Sequence, residues 1–167
     1  NKEAKRAVLR LDAATSEVSL AYMTGDFETA IRKAEEILSR DGLQPQFRNF
    51  LQSYLIRSVV LNQPELSREE LDAMIGELTI TDPTLAEKTQ KMSVALYDLT
   101  IAQESNDYFE ILTNEYKYPQ LEIIYYRALN AAIKGDTGRA NELLSQLDGE
   151  DERLYVVRMG KELLEEQ

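Results

Sequence analysis

Residues 21–38 read AYMTGDFETAIRKAEEIL. Helix-forming residues occupy both ends of this stretch, and a glycine and an aspartate stand between them. Gly25 can adopt the left-handed conformation that ends a helix without a steric clash at Cβ. Asp26 can cap the next helix, because its carboxylate accepts hydrogen bonds from the unpaired N–H groups of the first turn. The stretch therefore predicts two helices joined by a tight corner.

The second of these helices carries its apolar residues at spacings of three and four, which places them on one face. They are Phe27, Ala30, Ala34, Ile37 and Leu38. Ala30 and Ala34 are small, so the two helices can approach each other closely. The predicted product is a pair of antiparallel helices, an αα-hairpin.

The same pattern returns in residues 128–147, which read ALNAAIKGDTGRANELLSQL. Gly135 and Asp136 stand where Gly25 and Asp26 stood, and Ala140 follows its glycine by the same five residues as Ala30. The two glycines are 110 residues apart, which is close to three spacings of roughly 34 to 37 residues, the range of helical-hairpin repeats.

This pattern resembles the tetratricopeptide repeat family, whose hairpins carry a Gly-Asp-aromatic corner followed by an alanine. The matching corner residues are Gly25, Asp26, Phe27, Ala30, Gly135, Asp136 and Ala140. Thr137 replaces the usual aromatic residue in the second copy, and Asn106, Asp107 and Tyr108 resemble a third, degenerate corner. The aromatic residue usual early in the first helix of a repeat is absent, since Ala14 and Ile124 occupy those places.

The resemblance implies an all-α fold in which about four antiparallel hairpins stack as a right-handed superhelix, with a C-terminal capping helix. The alternative is an irregular helical bundle with two unrelated Gly-Asp corners. Helix start and stop signals place the predicted helices at residues 3–24, 27–40, 45–61, from 67, 83–103, near 109–116, from 119, 137–147 and 151–166. The last of these is expected to turn Leu154, Val157, Met159 and Leu164 toward the core.

The 167 residues predict one domain over residues 1–167, because no linker or low-complexity segment interrupts the helical pattern. The sequence begins with Asn1 rather than Met. We therefore expect that an upstream segment was removed, such as a signal peptide, a lipoprotein anchor, a membrane helix or a DNA-binding domain. The absence of cysteine fits the cytoplasm and a bacterial cell envelope equally.

Composition argues against most catalytic chemistry. The chain has no histidine and no cysteine, which excludes Ser-His-Asp triads, Cys-His dyads and zinc sites built on those ligands. No glycine-rich phosphate loop or calcium-binding loop is present. We therefore predict no enzyme activity, no cofactor and no metal, although an enzyme that uses only carboxylates, lysine and tyrosine stays an open alternative.

The charge distribution indicates which classes of partner are not expected. The net charge is −11; residues 1–60 carry 9 basic and 8 acidic groups, and residues 61–167 carry 10 and 22. An acidic surface repels phosphate backbones, so nucleic acid is not an expected partner of this segment. No apolar run approaches the length of about 20 residues that a membrane span needs, so membrane insertion is not expected either.

The resemblance also implies a binding surface, because in stacked hairpins the first helix of each pair lines a concave wall. Aligned on the corners, the wall residues expected to contact a partner are Thr15, Ser19, Tyr22, Met23, Ile56, Tyr125 and Leu129. Gln52 and Val59 belong to the same predicted wall as Ile56. The alternative is that these residues pack between the hairpins.

Family members that hold acidic chaperone C-termini do so with Lys, Arg and Asn on this wall. Thr15, Ser19 and Tyr22 stand at those places here, so we expect an apolar or basic protein or peptide instead. The predicted function is a noncatalytic scaffold or adaptor module that binds this partner on the concave face. The alternatives are a peptide- or small-ligand-sensing domain of a bacterial regulator, and self-association through the same surface.

Overall fold

The computed structural model of the chain describes residues 2–100, 108–114 and 119–166, and every regular element in these ranges is an α-helix. The all-α prediction is therefore confirmed. The helices are α1 (Lys2–Met23), α2 (Phe27–Leu38), α3 (Pro45–Asn62), α4 (Arg68–Gly76), α5 (Pro83–Thr100), α6 (Tyr108–Asn114), α7 (Gln120–Ile133), α8 (Thr137–Ser145) and α9 (Tyr155–Glu166).

Helix starts are where local sequence is most informative. Pro45 occupies the first turn of α3, and Ser67 and Glu70 form the reciprocal capping box that opens α4. Asp82 accepts hydrogen bonds from the N–H groups of Thr84 and Leu85 at the start of α5. Helices α2 and α8 each end two residues earlier than predicted. Asn106 and Asp107, two of the three residues of the predicted third corner, lie outside the described residues.

The last helix differs most from its prediction. It begins at Tyr155, because Asp151 accepts hydrogen bonds from the backbone N–H and the guanidinium of Arg153 and holds the preceding residues in a turn. Its buried face is formed by Tyr155, Val156, Val157, Gly160 and Leu163. Met159 and Leu164, which were expected in the core, are 40% and 42% exposed, so this part of the prediction was wrong.

The two Gly-Asp corners have the same geometry. Gly25 and Gly135 both have φ of 85°. At the first corner the N–H of Gly25 donates to Tyr22 O at 3.1 Å and that of Asp26 to Ala21 O at 2.8 Å. This pair of hydrogen bonds is the Schellman motif. The second corner has the same pair, from Gly135 to Ala132 O at 3.0 Å and from Asp136 to Ala131 O at 2.9 Å.

Both aspartates then cap the helix that follows. The carboxylate of Asp26 accepts from the N–H of Thr29 at 3.3 Å, and that of Asp136 accepts from the N–H of Arg139 at 3.1 Å. The alanines four residues beyond, Ala30 and Ala140, are fully buried. At both corners the glycine has a positive φ, the aspartate caps the following helix and the alanine is buried.

Internal contacts divide the chain into two compact units, Asn1–Ser93 and Val94–Gln167, with the boundary inside α5. In the first unit α1 packs on α2 and α3, α2 packs on α3, and α3 contacts α4. Glu17 of α1 pairs with Lys33 of α2; because both lie six residues from the corner, the two helices are antiparallel. In the second unit α7 packs on α6, α8 and α9, and α8 packs on α9.

Within the described ranges, no helix is both long enough and apolar enough to cross a membrane.

Candidate functional site

The residues predicted to contact a partner differ widely in exposure. Thr15, Tyr22, Ile56 and Tyr125 are buried, Ser19 and Leu129 are half-buried, and Met23 is 40% exposed. The hydroxyls of Thr15 and Ser19 donate to the carbonyls of Asp12 and Ser16, at 2.9 and 3.0 Å, within their own helix. Met23 is thus the member of this set that a partner reaches most easily, and the binding role of the set stays a prediction.

Tyr22 belongs to an aromatic cluster inside the first unit. Its ring lies 5.9 Å from that of Phe27 and 5.3 Å from that of Tyr54, edge to face in the second case. The guanidinium of Arg57 lies 5.0 Å from the Tyr22 ring centroid and 4.8 Å from the Tyr54 ring centroid. Rings and guanidinium at such distances attract each other, so Tyr22 joins α1, α2 and α3 rather than facing solvent.

A groove lies between α2, α3 and α4, with a volume of about 400 Å³. Six apolar side chains line it, together with Gln52 and two glutamates. The apolar residues are Leu38, Leu55, Ile56, Val59, Met74 and Leu78. Gln52, Ile56 and Val59, which the sequence assigned to one wall, therefore do lie together along one surface. The contributions of α2 and α4 to this surface were not predicted.

The charged residues that line the groove are both acidic. Glu35 comes from α2, and Glu77 directly follows α4; both are exposed. Among the described residues, neither carboxylate forms an ion pair or a hydrogen bond. Adjacent residues on a helix point in different directions. The neighbouring Glu36 accordingly pairs with Arg40, at 3.7 Å, rather than facing the groove. The groove therefore presents an apolar floor and an uncompensated negative rim.

Gln52 is the polar group of the floor, with only 6% of its surface exposed. Its Nε2 donates to the hydroxyl of Thr79 at 2.8 Å. Its Oε1 is buried and accepts no hydrogen bond from any described residue. A buried acceptor without a partner costs about 1–3 kcal/mol.

A second depression lies beside α4 and the start of α5, and it differs in its charges. Arg68 and Asp72 line it and pair with each other at 3.2 Å, and Glu87 pairs with Lys91 at 3.1 Å. Its charged groups therefore already have partners, and it offers a ligand less than the groove does.

The second unit has buried polar groups that join its helices. Asn130 is 1% exposed, and its Nδ2 donates to Leu99 O at 3.2 Å and Tyr126 O at 2.7 Å. The bond to Leu99 connects α7 to α5 within the unit, and the bond to Tyr126 lies within α7. The hydroxyls of Tyr126 and Tyr155 lie 3.2 Å apart and link α7 to α9 in the same way.

Within the described ranges, no group of three or more acidic, histidine or cysteine residues is placed to hold a metal ion. The groove itself contains no hydroxyl, amine or thiol nucleophile, and its ionisable groups are the two glutamates. Comparisons with protein-family profiles, with curated proteins and with solved structures find no match to this chain.

Proposed function

We propose that this chain is a noncatalytic protein- or peptide-binding module whose helices are arranged as tetratricopeptide-like hairpins. The observation that carries the proposal is the groove between α2, α3 and α4. It combines an apolar floor with two exposed carboxylates that pair with no described residue. Apolar grooves on helical surfaces are where segments of partner proteins commonly dock, with polar groups at the edge fixing their orientation.

The repeated corner supports the hairpin arrangement. Two segments 110 residues apart share the same glycine torsion angle, the same pair of backbone hydrogen bonds and the same aspartate cap. In both copies the small alanine of the second helix is fully buried. Equal corners with equal packing are what a hairpin repeat requires, and a right-handed stack of about four such pairs is the architecture that we propose.

The absence of histidine and cysteine supports a noncatalytic role. The groove would bind its partner by burying apolar side chains, each worth about 1.5–3 kcal/mol when fully enclosed. Such a module acts as a scaffold or adaptor, because it holds a partner without changing it.

A phage-displayed library of random peptides tests the proposal. Wild type would be compared with Leu55→Ser/Met74→Ser, which makes the groove floor polar at two half-buried positions. The matched control is Leu20→Ser/Leu85→Ser, which removes exposed apolar side chains outside the groove. We expect wild type and the control to enrich the same peptides and the groove variant to lose them, while circular dichroism shows equal helix content in all three.

The Met23→Ser variant tests whether peptides bind in the groove or on the concave wall implied by the family resemblance. Loss of the enriched peptides in this variant, with the groove variant unaffected, would move the binding surface to the wall. No enrichment by wild type would count against a peptide-binding module altogether.

The volume of the groove favours one second candidate. About 400 Å³ lies within the range of roughly 300–1,000 Å³ of small-molecule sites, so a ligand-sensing regulatory domain is the alternative function. Ligands from a metabolite panel that raise the melting temperature of wild type and not of Leu55→Ser/Met74→Ser would favour sensing over scaffolding.

A further inference from the structure

The floor of the groove sets the first requirement on an occupant. Three helices contribute apolar side chains to it, and the side chains of Leu55, Met74 and Leu78 are half-buried. Water in contact with such a surface is released when apolar groups replace it. The occupant must therefore bring apolar side chains.

The rim sets the second requirement. Glu35 and Glu77 stand on different elements, and both lack a cationic partner among the described residues, whereas Glu36, Asp72 and Glu87 nearby are paired. No basic side chain lines the groove. Charges at a rim act mainly on selectivity and association rate, and like charges are rejected. The occupant must therefore carry positive charge beside its apolar groups, and an acidic segment is excluded.

A polypeptide segment meets both requirements at once, because it can carry apolar side chains and lysine or arginine side chains next to each other on one chain. The amide of Gln52 is buried, and the hydrogen bond from its Nε2 to the hydroxyl of Thr79 fixes it as part of the floor.

We infer that the groove takes a short segment of a partner protein in which apolar residues are flanked by lysine or arginine. The lysine or arginine side chains face Glu35 and Glu77, and the apolar side chains fill the floor. This inference rests on the proposed function, because it names the class of peptide that the binding module selects.

A pair of synthetic peptides tests the inference. One has a core of leucines and one tryptophan between flanking lysines, and the other has glutamate in place of each lysine. The protein contains no tryptophan, so tryptophan emission reports the peptide alone. At low salt we expect wild type to bind the lysine peptide about tenfold more tightly than the glutamate peptide. The lysine peptide forms two exposed ion pairs with Glu35 and Glu77, whereas the glutamate peptide is repelled by them. High salt should reduce this preference.

Variants assign the preference to the rim. In Glu35→Gln/Glu77→Gln the tenfold preference should fall to about twofold. The matched control Glu28→Gln/Glu69→Gln has the same net charge and changes exposed residues of α2 and α4 outside the groove, and it should keep the preference. Equal binding of both peptides by wild type would overturn the inference, and so would an equal loss of preference in the control, which would assign the effect to the net charge of the chain.

The library selection separates this outcome from failure of the proposed function. If selected peptides require Leu55 and Met74 but are neutral or acidic, the inference fails and the binding module stands. If wild type binds neither synthetic peptide and selects nothing from the library, both fail.

Discussion

Tyr125 shows at the scale of one residue how burial changes chemistry. It lies on α7 with 4% of its surface exposed. Burial raises the pKa of its phenol from 10.0 to about 12, and the carboxylates of Glu162 and Glu166 add to the rise because they repel a phenolate. The folded protein therefore holds this proton more tightly than the unfolded chain does.

This raised pKa predicts a loss of stability at high pH. The contribution of the neutral phenol is complete below pH 10, the pKa in the unfolded chain, and is lost as the pH rises through the folded pKa of about 12. The loss approaches about 2–3 kcal/mol for a shift of this size. Urea unfolding of wild type and Tyr125→Phe at pH 9 and pH 11 measures it, and the variant should lose less stability between the two.

Absorbance of the phenolate provides the control for this prediction. The chain has nine tyrosines and no tryptophan, so the titration curve reports tyrosine alone. Wild type should show a late-titrating phenol that Tyr125→Phe lacks. Identical curves apart from total amplitude would mean that Tyr125 titrates together with the other tyrosines.

The sequence could not distinguish binding residues from packing residues at single positions. Tyr22, Ile56 and Tyr125 were assigned to a binding wall, and all three are buried. An apolar residue at helical spacing gives the same signal whether it faces another helix or a partner. The groove could not be predicted from local sequence patterns either, because Leu38, Leu55 and Met74 come from three helices that only the tertiary fold brings together.

At the scale of elements, local sequence was far more informative. Each Gly-Asp corner was predicted from two residues, and both have the predicted conformation, because a helix end depends on torsion angles and hydrogen bonds within a few residues. The start of α9 was predicted wrongly, because a side-chain contact rather than a backbone signal determines it. The ion pair between Asp151 and Arg153 depends on side-chain geometry that no spacing rule describes.

Replacement by alanine should have opposite effects on stability at two glycines near the second corner. Gly135 has φ of 85°, whereas Gly138 lies inside α8, and a Cβ added to either meets no atom within 4 Å. Gly135→Ala should destabilise the fold by about 1–2 kcal/mol, because an L residue is strained in the left-handed region. Gly138→Ala should stabilise it by about 0.5–1 kcal/mol, because alanine is the better helix former.

Chemical denaturation of the two variants beside wild type measures both changes. Since neither methyl group makes a contact, the difference in sign isolates the backbone term. A Gly135→Ala variant as stable as wild type would mean that the corner tolerates other torsion angles, and the repeated φ of 85° would then not be a requirement of the fold.

At the scale of the whole molecule, charge opposes folding. The net charge is −11, and residues 61–167 carry 22 acidic groups against 10 basic ones. The described ion pairs, such as those of Arg40, Arg68 and Lys91, are exposed on the helix surface. Exposed pairs contribute about 0–1 kcal/mol each, whereas repulsion acts among all the excess carboxylates over longer distances.

These two terms respond differently to salt, and the difference predicts that salt stabilises the protein. The screening length falls from about 30 Å at 0.01 M to about 8 Å at 0.15 M, which weakens long-range repulsion but leaves contacts of 3–4 Å almost intact. Urea unfolding followed by circular dichroism should show a gain of about 0.5–1 kcal/mol between these concentrations. Asp148→Asn/Glu150→Gln/Glu165→Gln, which neutralises three exposed carboxylates, should show a smaller gain. A fall in stability with salt would instead mean that the surface ion pairs outweigh the repulsion.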